Sequence, residues 1–219
     1  IIEESVPGYL QVPMMDREMA YAQIGQLHQR VGEQQTWTWD DCGQNCDNYS
    51  KSKVQYKKPY PVWGRLNLDT LRQQGKERYG YQSNTGFIQF GSDLNVKMGS
   101  NESHRHSGLM LSYGWGNGDF YDKYRAQNGS IVTDKYTGSA KANILSLGGY
   151  STWYAKNGSY VDLVGNLSWI HNKYNNRDGL SAKQNGYGLI LSAEVGRPWQ
   201  INNSNWQIEP QAQLVYQYQ

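Results

Sequence analysis

Trp206-Gln207-Ile208-Glu209-Pro210-Gln211-Ala212-Gln213-Leu214-Val215-Tyr216-Gln217-Tyr218 alternates residue by residue. Trp206, Ile208, Pro210, Ala212, Leu214, Tyr216 and Tyr218 fall on one side, and Gln207, Glu209, Gln211, Gln213, Val215 and Gln217 on the other. A period of two belongs to a strand whose two faces meet different surroundings. Here one face is apolar with aromatic ends, and the other is almost wholly polar.

Moving toward the N-terminus, the pattern returns six times. It runs through Tyr187-Leu189-Leu191-Ala193-Val195, Val161-Leu163-Gly165-Leu167-Trp169, Leu145-Leu147-Gly149-Ser151-Trp153, Leu109-Leu111-Tyr113-Trp115, Ile88-Phe90-Ser92-Leu94-Val96-Met98 and Val62-Gly64-Leu66-Leu68. With each register set by its apolar face, none of the roughly 35 outward positions is charged, where a charged content of 18% would place about 6 at random. The opposite faces hold Arg65, Asp69, Asp93, Lys97, Asp162, Glu194 and Glu209. Hydrocarbon rejects such charges and a wet lumen accepts them. The expected class is therefore all-β, an antiparallel transmembrane β-barrel. A soluble barrel or sandwich also alternates, but it turns its apolar set toward a packed core.

Composition is compatible with this reading. The mean hydropathy of −0.81 and the lack of a long apolar run exclude a membrane helix. They do not exclude a barrel, whose strands average two opposite faces. A formal net charge of +2, without a Lys/Arg run, argues against a nucleic-acid partner. The length of 219 residues favours one domain. A chain that opens on Ile1 is expected to have been processed or excised.

Residues 1–32 read as a linker followed by a helix. Pro13 suits a first helical turn, Asp16 and Glu18 suit its positive end, and Ala20, Ile24, Leu27 and Val31 recur at helical spacing up to Gly32. Such a helix is about 27 Å long, near the thickness of a bilayer core. Arg17 and Arg30 could not face lipid, so at membrane depth it must lie inside something polar. Residues 33–60 read as a polar loop on the periplasmic side, and 61–219 as seven strands. Lys156–Ser159 and Asn202–Asn205 read as tight turns, with long loops at 70–84, 118–141 and 174–186. Seven antiparallel strands cannot close on themselves, so further strands or a partner edge are expected.

These segments resemble a family. Val6-Pro7-Gly8-Tyr9-Leu10 and Leu27-His28-Gln29-Arg30-Val31-Gly32-Glu33 are similar to the linker and plug helix of type Va autotransporters of the adhesin kind. Val62-Trp63-Gly64-Arg65-Leu66, Gly91-Ser92-Asp93-Leu94, Tyr113-Gly114-Trp115-Gly116, Gly149-Tyr150-Ser151-Thr152-Trp153-Tyr154, Tyr160-Val161-Asp162-Leu163 and Trp206 to Leu214 look like successive strands of their translocator barrel. The resemblance implies a 12-stranded pore in the bacterial outer membrane, threaded by a helix, that exports an N-terminal passenger. About five strands would then be missing by analogy. The implied partners are outer-membrane lipid, lipopolysaccharide, the chain's own passenger, and the barrel assembly machinery during folding; a further reading is a folding substrate held on that machinery. No enzyme activity and no cofactor are implied. The helix contains no Asn, so self-cleavage at an Asn-Asn pair is not expected.

The candidate residues follow from this picture. Arg65, Asp93, Lys97, Asp162, Glu194 and Glu209 would line the pore. Asp16, Arg17, Glu18, Ile24, Leu27 and Arg30 would mark the plug helix. Cys42 and Cys46, an even count in an exported chain, favour a small disulfide over a metal half-site lacking further ligands. Ser103-His104-Arg105-His106-Ser107 reads as a solvated turn. Lys123, Arg125, Lys135, Lys141, Arg177 and Lys183 fall in the expected outer loops, where lipopolysaccharide phosphates are one counter-charge. The competing reading is a small ligand-binding barrel, lipocalin-like or of the small outer-membrane type.

Overall fold

The computed structural model describes residues 3, 5–31, 62–73, 78–99, 103–201 and 207–219. Two helices, α1 (Val6–Ile24) and α2 (Leu27–Val31), precede the strands. These are β1 (Val62–Gln73), β2 (Tyr79–Met98), β3 (His104–Asp122), β4 (Ala126–Gln127), β5 (Ser130–Ile131), β6 (Tyr136–Tyr154), β7 (Tyr160–Asn176), β8 (Ser181–Gly196), β9 (Trp199–Gln200), β10 (Gln207–Ile208) and β11 (Gln211–Tyr218). Seven of them form one antiparallel sheet in the order β1-β2-β3-β6-β7-β8-β11. β4 with β5, and β9 with β10, make two small ribbons. Among the described residues, β1 and β11 each pair along one side only.

The sheet wraps around α1. Its outward side chains stay open, with Leu147 48% and Leu167 54% exposed, while their chain neighbours Ser146 and Asn166 are buried against the helix side. A lipocalin-like barrel needs the reverse arrangement, so the apolar outer face decides against that reading.

Register aligns the outward residues in rows across the wall. Lys97, Arg105, Trp153, Val161, Val195 and Ala212 form one row at the tight-turn end. Phe90, Leu111, Leu147, Leu167, Leu189 and Tyr218 form a row at mid-height, and Tyr113, Leu145, Trp169 and Tyr187 form the next. Twelve residues further along β6 than Trp153 stands Lys141. At about 3.3 Å per residue and a tilt of about 40°, that span is about 30 Å along the membrane normal. Lys97 and Arg105 at one end and Lys141 at the other thus bracket a band as thick as a bilayer's hydrocarbon.

The structure corrects several expectations. The stretches read as long loops are mostly strand: β2, β3, β6, β7 and β8 continue past the apolar band, with a short connection at 177–180 and a longer one at 123–135. Apolar alternation reports only hydrocarbon contact, and backbone pairing persists above it with polar residues on both faces. Lys141 and Lys183 therefore lie on β6 and β8. His104 to Ser107 open β3 instead of forming a turn, because Met98 to Val96 supply pairing partners for His104 to His106. The helix starts at Val6, not Pro13: Pro7 occupies the first turn, and Pro13 is accommodated inside. It breaks at Gly25, whose φ of +60° ends α1. The Lys156–Ser159 turn is present, closed by Ala155 N–H to the Ser159 carbonyl at 2.8 Å with Gly158 at φ +81°. The second tight turn, at 202–205, and the Cys42 and Cys46 pair lie outside the described residues.

Leu94 carries a further correction. Pairing shifts there, from Asp93 opposite Gly108 to Asn95 opposite Ser107, which marks a β-bulge. An extra residue reverses every later side chain. Lys97 consequently stands opposite Arg105 on the outward face, exposed, instead of lining the interior.

Placing a cation in the middle row tests the assignment of the two faces. Leu167→Arg is expected to cost about 2–4 kcal/mol in a bilayer, read by denaturant titration of folding into lipid vesicles. Wild-type stability for that variant would show that the face does not meet hydrocarbon.

Candidate functional site

A helix carrying this many polar groups needs partners along its whole length, and the inner wall supplies them. Near the upper end, Asn172 donates to Asp16 at 2.5 Å and the Tyr81 hydroxyl donates to Glu18 at 2.5 Å. Gln217 of β11 donates to the Arg17 carbonyl at 3.1 Å, while the Arg17 residue itself is exposed. At mid-height the Ser146 hydroxyl donates to the Gln23 side chain at 2.5 Å. The Gln23 carbonyl accepts from Gln89 at 3.0 Å and from the Arg65 guanidinium, which also bonds Gln89 Oε1 at 2.6 Å. Gln213 donates to the Gly25 carbonyl at 3.0 Å. Arg65 and Gln213 sit on the two edge strands, so the helix end joins β1 to β11.

Below Gly25 the wall partners become carboxylates. Arg30 donates to Asp162 at 2.6 Å, with both side chains buried, and the Thr152 hydroxyl holds the other Asp162 oxygen at 2.6 Å. The Arg30 guanidinium also lies 5.2 Å over the Tyr150 ring. Glu194 accepts the first backbone N–H of α2, from Leu27, at 3.0 Å, and the Tyr160 hydroxyl at 2.7 Å. A carboxylate there satisfies a helix-end donor and complements the positive helix terminus. His28 Nε2 is 2.7 Å from Glu209.

Shape matters as much as polarity. Gly114, Gly116 and Gly118 occupy successive inward positions of β3, and a Cβ at these sites would come within 2.9 Å of Gln23, 2.8 Å of Met19 and 2.9 Å of Met15. Bare backbone there makes a shallow track for α1. Val12, Met15, Met19 and Ile24 pack on that side against Phe120, Ile144, Val164 and Ile190. Ile24 and Leu27 are fully buried.

The structure thus brings Arg65, Asp162, Glu194 and Glu209 to the helix, and Asp16, Glu18 and Arg30 to the wall. Asp93 stays apart from the helix, held by the Tyr150 hydroxyl at 2.5 Å and His106 Nδ1 at 2.6 Å. Tyr81, Gln89, Ser146, Asn172 and Gln213 are partners that the sequence reading did not single out. Their only signal is a polar residue at inward parity.

A membrane-spanning wall with an apolar exterior, clasping a polar helix along its length, has a counterpart among known proteins. The family model for the autotransporter β-domain matches residues 62–219. The chain belongs to the autotransporter β-domain family. This β-domain is an outer-membrane translocator, the part of an autotransporter that anchors it and exports its passenger. It is 28% identical over 207 residues to the uncharacterized protein YuaQ of Escherichia coli K12, covering 88% of this chain and 13% of that protein. It is 27% identical over 158 residues to the serine protease EatA of an E. coli O78:H11 strain, covering 70% and 10%, and 29% identical over 157 residues to the serine protease Pet autotransporter of an E. coli O44:H18 strain, covering 71% and 10%. The chain thus spans about a tenth of the length of these relatives. Protease activity is named for those whole proteins, and the match to them is the β-domain. The crystal structure of the β-domain of the Bordetella autotransporter BrkA shares the fold, with a TM-score of 0.55 at 23% identity over 73% of this chain and 58% of that one.

The buried ion pair offers a direct test of how the helix is held. Arg30→Ala or Asp162→Ala leaves one buried charge uncompensated, an expected loss of about 3–5 kcal/mol. Amide exchange across Leu27–Val31 should accelerate in each single variant, and the joint replacement Arg30→Met with Asp162→Leu should recover part of the protection. Equal exchange in all three would show that the pair does not hold the helix.

Proposed function

We propose that the β-domain exports an N-terminal passenger through the interior of its barrel, and that α1 and α2 are the segment left in that interior as a plug. The observation that carries this reading is the ladder of wall groups, from Asn172 and Tyr81 at one end to Asp162 and Glu209 at the other, that meets the helix along its axis. Such a lining suits a polar chain passing through. Arg65, Asp162, Glu194 and Glu209 are its conduit charges, with Asp93 supporting the wall behind them. The domain works by holding and orienting a chain and needs no catalytic group of its own.

Sidedness follows from shape. Outer-membrane barrels keep short turns on the periplasmic side and larger structures outside. The tight-turn end at Ala155–Ser159 is then periplasmic, and the strand extensions that surround the start of α1 face the exterior. The beginning of α1 consequently points toward the cell surface, where the passenger would stand. The open edges of β1 and β11 require cover at membrane depth, by further strands or by the barrel assembly machinery during folding. Lipopolysaccharide is the expected neighbour of the exterior rim.

Conductance and accessibility test this together. Single-channel recording of the full-length protein should show a closed pore that opens when residues 5–31 are deleted. A protease added to intact cells should cut a tag placed ahead of Ser5 and spare one inserted at Gly158. A helix-deleted barrel that stays silent would remove the conduit, and cleavage at Gly158 alone would reverse the orientation.

A further inference from the structure

On the outer face, Lys141 of β6 stands directly opposite Lys173 of β7, and Lys173 opposite Lys183 of β8. All three are exposed and share the parity of Leu145, Trp169 and Tyr187. Directly opposed residues hold their Cβ atoms about 5 Å apart, and like charges in that position are destabilising. One outward lysine is unremarkable, but three in a single row work against the sheet unless something negative lies over them.

Among the described residues no carboxylate pairs with them, and Asp178 lies in the turn beyond the ends of β7 and β8. None of the three lysines makes a hydrogen bond or ion pair among the described residues. Asp122 is engaged by Arg78 at 2.9 Å, and Asp134 by Arg177. Asp119 pairs in register with Ser139, one row beyond Lys141, and is a single charge against three.

Depth and shape narrow the choice of partner. The lysine row lies four residues past the row of Tyr113, Leu145, Trp169 and Tyr187, about 10 Å higher along the normal, at headgroup level. Between the two rows a cavity of about 320 Å³ is lined by Tyr113, Asn143, Trp169, His171, Asn185 and Tyr187. This space lies inside the apolar band, where its aromatic faces suit the upper part of an acyl chain, and its polar groups bond one another, Tyr113 to Asn143 at 3.0 Å and His171 to Asn185 at 2.6 Å. Below that cavity the wall is apolar, as acyl chains require. Phosphate and acyl chain are thereby matched in that order from outside to inside.

We propose that Lys141, Lys173 and Lys183, with the cavity beneath them, form a docking site for a phosphorylated glycolipid of the outer leaflet. This rests on the sidedness given above, which places the row in that leaflet. The lysines neutralise its phosphates, Trp169 and Tyr187 pack against the upper part of an acyl chain, and the occupied site relieves the repulsion across β6, β7 and β8.

The test uses the full-length protein in detergent, with bisphosphorylated lipid A as probe and native mass spectrometry as readout. At about fivefold per lysine, the variant Lys141→Ala, Lys173→Ala, Lys183→Ala should bind roughly a hundredfold more weakly. The matching Lys→Arg variant should bind like wild type, and Lys123→Ala with Lys135→Ala, in the loops, should change little. Heat-modifiable gel mobility establishes that each variant is folded, and the Lys→Arg protein covers the case in which the Ala variant does not fold. The proposal is overturned if the triple Ala variant retains lipid A, or if dephosphorylated lipid A or phosphatidylglycerol binds wild type equally well. Passenger display on the same cells reports the sidedness separately, so a failed site and a reversed barrel give different results.

Discussion

Hydrocarbon offers no hydrogen bond, and that lack arranges nearly every residue described here. Backbone groups at membrane depth must find each other, which selects a sheet, and charges must turn inward, which makes its interior polar. Leu147 and Ser146 are neighbours in sequence, yet one faces lipid and the other holds Gln23 of the helix. Where the apolar band ends, the same strands carry lysines outward without burying their charge in hydrocarbon, because headgroups and water replace acyl chains.

A polar interior has its own requirement, since every buried donor and acceptor needs a partner. The helix meets much of it from the wall. Its carbonyls at Gln23 and Gly25 accept from Arg65 and Gln213, its first α2 amide bonds Glu194, and Arg30 finds Asp162. Neutral wall amides and hydroxyls hold the upper part, while the Arg30–Asp162 ion pair and the carboxylates of Glu194 and Glu209 gather near α2. Removing an ionic partner inside leaves a stranded charge, whereas trading one neutral rung for another is milder. The lower end is therefore the firmer anchor, and the glycine track on β3 sets where the rest can lie.

The outward faces were legible in the sequence because lipid contact acts on each residue separately. Val161 to Trp169 and Leu145 to Trp153 could be placed without any knowledge of their neighbours. Asp162, Glu194 and Glu209 were legible as inward charges for the same reason. Features that depend on two elements were not. The Leu94 bulge leaves apolar residues on both sides, so periodicity continues across it and points Lys97 to the wrong face. The partners Asn172, Tyr81 and Gln89 are ordinary polar residues until register brings the helix to them. His104 and His106 resembled a turn because a strand end beyond the apolar band has no hydropathy signature. The helix start at Val6 was obscured by Pro13, whose more frequent place is a first turn.

The break at Gly25 has a mechanical consequence. Tension applied from the passenger side runs along α1, and the bonds to Asn172, Tyr81, Gln217 and Ser146 lie across that line, so they are loaded in shear and share the force. At Gly25 the axis is interrupted between the grips of Arg65 and Gln213 on the two edge strands. Load reaching that point is passed sideways into the wall before it arrives at Arg30 and His28. The kink thus works as a strain relief, of the kind fitted where a cable enters a housing, and it protects the ionic anchor from direct pull.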